Sequence, residues 1–301
     1  MLGWRLVMSA ILVPFLIALF WLDHSLGPAA LLLLVFSLLV ACRNAYELSD
    51  LMSARRMKPD FPVAAALSVL TVLAGWMHTW FAIPEPIGTM LSSLGFIGLM
   101  LAISFCTLLA LEAWKYQQPG KAMESLGCNL IIVLYAGGLM AVTAQLRWIP
   151  DPSMGYFVIA SMIIAVKAGD TFAYTFGRLW GKKKLAPILS PGKTWMGLVG
   201  AIFGSTLGGT LWLTFAGRLF DSHPAPAAMW IVLAYSSTMG MIGLAGDLCE
   251  SLIKRDVEKK DSAALMPGFG GLLDLLDSPL FAGPFALLWW QLLPPALMPA
   301  S

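Results

Sequence analysis

Asp247, Glu250, Ser251, Lys254 and Arg255 stand at i, i+3, i+4, i+7 and i+8 of the stretch "GDLCESLIKRDVEKKD", Gly246 to Asp261. On a helix this spacing places them on one face. The apolar run "MWIVLAYSSTMGMIGLA" comes directly before. Asp247 and Glu250 are therefore expected below the headgroup level of a bilayer, where a carboxylate is costly and must face protein or a wet cavity. Lys254 and Arg255 lie one to two turns further out, within reach of phosphates. A second acidic pair, Asp274 and Asp277, interrupts the leucines of "GFGGLLDLLDS" at i, i+3. Two acidic helix ends joined by a short basic segment can converge. Convergent carboxylates with oxygen-only ligands suit Mg²⁺, which keeps waters and takes substrate phosphates. Neighbouring Lys and Arg would bind the phosphate oxygens. A functional site is expected at Asp247, Asp274 and Asp277, because their insertion cost demands a reason. Asp256, Glu258 and Lys259 read as a solvated outer turn.

A third polar group lies in "VKAGDTFAYTFGRLWGKKKLAPILSPGKTW". Lys167 and Asp170 at i, i+3 form an expected ion pair inside the bundle. The triplet Gly192-Lys193-Thr194 is not a P-loop, because position 187 is Pro where that motif needs Gly. At the start of a span it still offers an ammonium, a hydroxyl and helix N-terminal amides to an anion. Lys182 to Lys184 read as an anionic-lipid contact or a topology determinant. The four cysteines, Cys42, Cys106, Cys128 and Cys249, lack zinc-ligand spacing and read as small buried apolar residues.

The elements that must carry these groups are membrane helices. The chain has 301 residues, 58% hydrophobic and 12% charged, against about 25% charge in soluble domains. Nine apolar spans are predicted, near 5–22, 28–42, 62–83, 90–113, 123–146, 154–176, 195–217, 227–253 and 272–294. The first is taken as a retained anchor rather than a signal peptide. The expected fold class is all-α, a polytopic integral membrane helix bundle. Five spans fall in an N-terminal half, 1–150, and four in a C-terminal catalytic half, 151–301. With the N-terminus in the cytoplasm, sixteen of the nineteen Lys and Arg fall inside, Arg147 and Arg218 fall outside, and Lys167 lies within a span. The inside loops are then 43–61, 177–194 and 254–271, so chemistry is expected to face the cytoplasm. All three histidines (His24, His78, His223) fall on the opposite side, which argues against His-based catalysis. No internal repeat is visible, and a net charge of +2 gives no reason to invoke nucleic acid.

The stretch "GDLCESLIKRDVEKKDSAALMPGFGGLLDLLDS" resembles the signature of phosphatidate cytidylyltransferases (CDP-diacylglycerol synthases). Gly246, Asp247, Leu248, Glu250, Ser251, Lys254, Arg255, Lys260, Asp261, Pro267, Gly270, Gly271, Asp274 and Asp277 match. "AGDTFAYTFGRLWGKKKLAPILSPGKTWMG" is similar to that family's second block. The departures are Phe269 for a histidine, Leu275 for an arginine and Met196 for Gln or Glu. The resemblance implies transfer of CMP from CTP to phosphatidate, giving CDP-diacylglycerol and pyrophosphate for phospholipid synthesis. It implies Asp247, Lys254, Arg255, Asp274 and Asp277 as catalytic residues. Asp170, Ser190, Lys193, Thr194, Glu250, Ser251, Lys260 and Asp261 are implied in substrate binding or positioning. Mg²⁺ held by Asp247, Asp274 and Asp277 is the implied cofactor, with a second cation admitted. The partners are the two substrates and membrane lipids, a homodimer staying open, and the location is a bacterial inner or plasma membrane. Two alternatives stay open: a catalytically impaired paralogue, and a transporter using the intramembrane charges. A CDP-alcohol phosphotransferase is disfavoured, because its run of Asp residues on neighbouring turns is missing.

Overall fold

The computed structural model describes residues 2–55, 57–81, 92–220, 223–265 and 270–297, with side chains from residue 7 onward. Among the described residues, nine helices are long and apolar enough to cross a membrane. They are α1 (Leu2–Ser25), α2 (Leu31–Ser53), α3 (Phe61–Trp80), α4 (Ser93–Lys115), α5 (Ala122–Trp148), α6 (Gly155–Trp180), α7 (Trp195–Phe215), α8 (Met229–Asp256) and α9 (Leu272–Leu292). α5 contains a π-helical turn, Val133–Gly138. The only strands described form two small antiparallel pairs: β1 (Lys184–Ala186) with β2 (Ser190–Thr194), and β3 (Ala225–Pro226) with β4 (Ala296–Leu297). The protein is an all-helical, multi-pass membrane protein.

The predicted second span stops at residue 42, with a cytoplasmic loop from 43. The helix instead runs on to Ser53. Ala41, Ala45, Leu48, Leu51 and Met52 are all buried, so the apolar stripe continues at helical spacing past the first charge. Arg43 and Glu47 sit within that continuation as an i, i+4 pair, Nε to Oε1 2.8 Å. The cysteines also differ from expectation. Cys128 is buried, but Cys42, Cys106 and Cys249 are exposed on outer helix faces. A small apolar thiol suits a lipid-facing surface as well as a core.

The chain divides into two compact units, 1–145 with 256–275, and 146–255 with 276–301. In the first unit, α2 begins at a buried carboxylate: Asp23 Oδ1 accepts from the amides of Leu32 (2.7 Å) and Leu33 (3.1 Å). These are among the donors that a helix start leaves unmet. α3 and α5 approach closely, since a Cβ on Gly137 would fall 2.6 Å from the Ser68 Cα. Buried hydroxyls such as Ser68 and Thr71 return their protons to carbonyls one turn back.

In the second unit, α7 lies against α6 along a small-residue ridge. A Cβ at Gly204 would meet the Phe172 Cβ at 2.5 Å and the Ala168 oxygen at 2.6 Å. On the other side, Gly240 of α8 lies against Ser205 and the Ala201 carbonyl of α7. Without a hydrophobic drive between helices in lipid, such close backbone packing supplies the association.

Candidate metal and phosphate site

α8 continues unbroken from Met229 to Asp256, so Asp247, Glu250, Ser251 and Lys254 do share one face. Two glycines on α8 let α9 come close. A Cβ on Gly246 would stand 2.7 Å from the Phe281 Cβ and 3.1 Å from the Asp277 carbonyl, and one on Gly243 would touch Ser278. That approach carries Asp277 of α9 to the acids of α8. Asp247, Glu250 and Asp277 each place a carboxylate oxygen within 4.8 Å of the others. Glu250 and Asp277 are buried, at 1% and 6% exposure.

Lysines surround this triad. Lys193, near the end of β2, ion-pairs Asp247. Lys254 Nζ is 2.5 Å from Glu250 Oε2, with only 10% and 1% of the two side chains exposed. Lys167 pairs with Asp170 on α6 at 3.3 Å, as the spacing predicts. Asp170 in turn interacts electrostatically with Lys193 and Asp247. Asp277 has the Ser278 amide at 2.5 Å. No Lys or Arg among the described residues lies within ion-pair distance of it. Four acids thus stand against three lysines, and Asp277, buried like Glu250, has no ion pair of its own among the described residues. A further cation would balance the set, and an all-oxygen donor group suits a hard divalent ion. The triad fits a bound Mg²⁺ on these grounds.

The hairpin explains where Lys193 comes from. β1 and β2 pair with Lys184 opposite Thr194 and Ala186 opposite Ser190. Thr194 then caps α7, its Oγ1 accepting from the Gly197 amide at 3.0 Å. The hydroxyl expected to face an anion is engaged by the helix. Ser190 is half-buried on β2. Ser251 Oγ points at Asp247 Oδ1 from 3.5 Å. Arg255 is exposed and donates to the Leu189 carbonyl at 3.3 Å. Lys254, expected at the outer mouth, is buried instead beside the acids.

Asp274 is placed differently from the sequence grouping with Asp247 and Asp277. It belongs to the first unit. Its Oδ2 accepts from Ser262 N (2.8 Å), Ser262 Oγ (2.7 Å) and Gly271 N (2.8 Å). This is the reciprocal half of a capping box, an acid in the first turn reaching back to the residue before the helix. The structure gathers Glu250, not Asp274, with the other two. Lys260 and Asp261 are exposed on the same connecting segment. Pro267 and Phe269 lie outside the described residues.

Sequence reasoning missed Glu47. It is fully buried. Its carboxylate accepts from Leu272 N (3.0 Å) and Leu273 N (2.9 Å), besides Arg43, and the Ser262 hydroxyl that serves Asp274 lies 2.9 Å away. The signal was the continued helical stripe through "ACRNAYELSDLM", which makes residue 47 part of a helix rather than a loop.

The sequence pattern of the Cytidylyltransferase family matches residues 3–293. The chain belongs to that family. It is similar to phosphatidate cytidylyltransferase of Chlamydia pneumoniae, 28% identical over 95% of this chain and 90% of that one. It is similar to the Staphylococcus saprophyticus protein of the same name, 30% identical over 84% of this chain and 88% of that one. The Haemophilus influenzae protein of that name is 31% identical, but the match spans 63% of this chain and 62% of that protein, less than two thirds of its length.

Proposed function

We propose that this chain is a phosphatidate cytidylyltransferase. It joins a phosphate oxygen of phosphatidate to the α-phosphorus of CTP and releases pyrophosphate, leaving CDP-diacylglycerol in the membrane. The observation that carries the reading is the buried triad Asp247, Glu250 and Asp277 with its three lysines, set among membrane helices of a family member. Transfer at phosphorus requires positioning and charge neutralisation more than covalent help from the protein.

In this proposal Asp247, Glu250 and Asp277 hold Mg²⁺. Bound there, the ion would supply charge neutralisation for phosphate oxygens. Lys193 and Lys254 offset the charges of Asp247 and Glu250, so that with a divalent ion bound the site would no longer repel a polyphosphate. Arg255, at the exposed end of α8, would bind phosphate oxygens from the water side. Ser251 orients the Asp247 carboxylate. Lys167 and Asp170 set the field from α6. Asp274 is proposed as a structural acid that holds the start of α9. The bias of Lys and Arg towards one side supports an N-terminus and a site on the cytoplasmic face of a bacterial inner membrane, where CTP is available.

The test is turnover by purified protein in mixed micelles of phosphatidate, with labelled CTP and Mg²⁺. Equal amounts of CDP-diacylglycerol and pyrophosphate should form, and neither should form with chelator. Metal-replete protein that leaves both substrates intact would refute the proposal.

A further inference from the structure

A second group of charged side chains takes no part in the proposed reaction. It lies in the first unit, where the end of α4, the start of α5 and the segment between α2 and α3 meet. That segment is pinned by the Asp60 amide, which donates to Asn129 Oδ1 of α5 at 2.9 Å. Ser125 of α5 donates to Glu112 Oε1 of α4 at 2.6 Å, and its hydroxyl lies 3.5 Å from the Lys58 carbonyl. Between these contacts is an open cleft of about 480 Å³, lined among others by Lys58, Asp60, Phe61, Glu112, Lys115 and Ser125. Small-molecule sites commonly span about 300–1,000 Å³.

Two lysines and two acids line the cleft, so their charges cancel, but the four are not equivalent. Lys115 Nζ is 2.5 Å from Asp60 Oδ2, and that pair closes on itself. Lys58 has no ion pair among the described residues. Glu112 accepts the Ser125 hydroxyl on one oxygen and interacts with Lys115 only at longer range. The cleft thus offers one open cation and one open carboxylate, and Ser125 lies against both residues. A ligand that answers both carries an anion and a cation and no net charge.

Its surroundings belong to a membrane surface. Trp114 and Tyr116, on either side of the last residue of α4, are exposed, and such rings settle at the headgroup level. Phe105 and Leu109 are exposed on α4 at i−7 and i−3 from Glu112. They share its face and lie deeper along the helix, where acyl chains would run. An anionic headgroup would leave Glu112 unanswered. A choline headgroup has no N–H to give a carboxylate and is held by cages of aromatic rings. Phe61 is the only ring in the lining, and its own partner is Tyr46, edge-on at 5.8 Å.

We propose that this cleft binds the headgroup of a phosphatidylethanolamine-type lipid, with Lys58 on the phosphate and Glu112 on the primary ammonium. The proposal does not rest on the cytidylyltransferase reading.

The experiment is native mass spectrometry of the purified, detergent-solubilised full chain, titrated separately with dioleoyl phosphatidylethanolamine, phosphatidylcholine and phosphatidylglycerol. The ethanolamine lipid should bind about tenfold more tightly than either of the others, as expected for one charge-assisted hydrogen bond. Glu112→Gln should abolish that preference. Lys58→Gln should weaken both zwitterionic lipids by a similar factor, and because Lys58 is exposed it serves even if Glu112→Gln does not fold. Lys121→Gln and Glu124→Gln are the controls, since both residues are exposed beside the start of α5 and neither lines the cleft. They should bind as wild type does. Glycerophosphoethanolamine, which has no acyl chains, should displace the lipid only at far higher concentration. Equal affinity for the three lipids overturns the proposal, as does unchanged binding in Lys58→Gln or an equal loss in the controls. Displacement by glycerophosphoethanolamine at the lipid's own concentration would make the ligand a free headgroup and overturn the lipid assignment.

Discussion

Replacing Lys254 with Met tests the charge balance of the triad directly. Lys254 Nζ lies 2.5 Å from Glu250 Oε2, with 10% and 1% of the side chains exposed. At an effective dielectric near 20, that separation corresponds to roughly 7 kcal/mol of gross attraction, much of it offset by desolvation. Removing one partner of a buried pair typically costs about 3–5 kcal/mol, because the remaining charge is stranded. Here it is stranded beside Asp247 and Asp277, with oxygens all within 4.8 Å. In chelator, the melting temperature followed by tryptophan fluorescence should fall by roughly 10 °C. A bound divalent cation would compensate the stranded carboxylate, so in saturating Mg²⁺ the fall should be about half as large or less. Lys254→Arg keeps the charge and should melt within about 3 °C of wild type in both conditions. An equal fall for Lys254→Met with and without Mg²⁺ would show that no cation relieves Glu250, and the reasoning behind the triad would be wrong.

Three other outcomes are expected. Asp277→Asn removes the buried acid that lacks a close cationic partner, so turnover should drop by at least about 100-fold, while the melting temperature in chelator should rise rather than fall; a fall in both would show that the acid is not a strained group. Gly204→Val puts side-chain atoms where a Cβ alone would meet Phe172 at 2.5 Å, so it should destabilise by roughly 1–3 kcal/mol, checked by thermal melting against Gly98→Val, where a Cβ meets nothing within 4 Å. Thr194→Ala should cost about 1 kcal/mol through loss of the α7 cap, and Thr194→Ser should restore it; if Ser fails to rescue in the same melting assay, the hydroxyl is not acting as a cap.

Much of the site was legible in sequence because it lies on one helix. Asp247, Glu250, Ser251 and Lys254 are placed by the 3.6-residue period alone, and an unbroken α8 bears that spacing out. The Lys167–Asp170 pair was legible for the same reason. Which of Asp274 and Asp277 joins the α8 acids was not, since i, i+3 neighbours look alike until a partner helix chooses between them. The choice is made by Gly246, which lets α9 approach at Asp277 and Phe281, and by Ser262 and Gly271, which occupy Asp274. Lys254 illustrates the same limit: it is buried in a pair with Glu250, a depth that helical spacing does not report.

The sequence alone determined the nine membrane-length helices found among the described residues and the helical face that carries the acids, because hydropathy and helical period are local properties of consecutive residues. Its family was legible there too. Only the tertiary structure decided that Glu250 completes the triad, that a hairpin delivers Lys193, and that Glu47 holds the start of α9. Each of those is a contact between residues far apart in the chain. Such contacts follow from how glycine-lined helices close on one another and from which buried amides need an acceptor, and neither is written in the spacing of neighbouring residues.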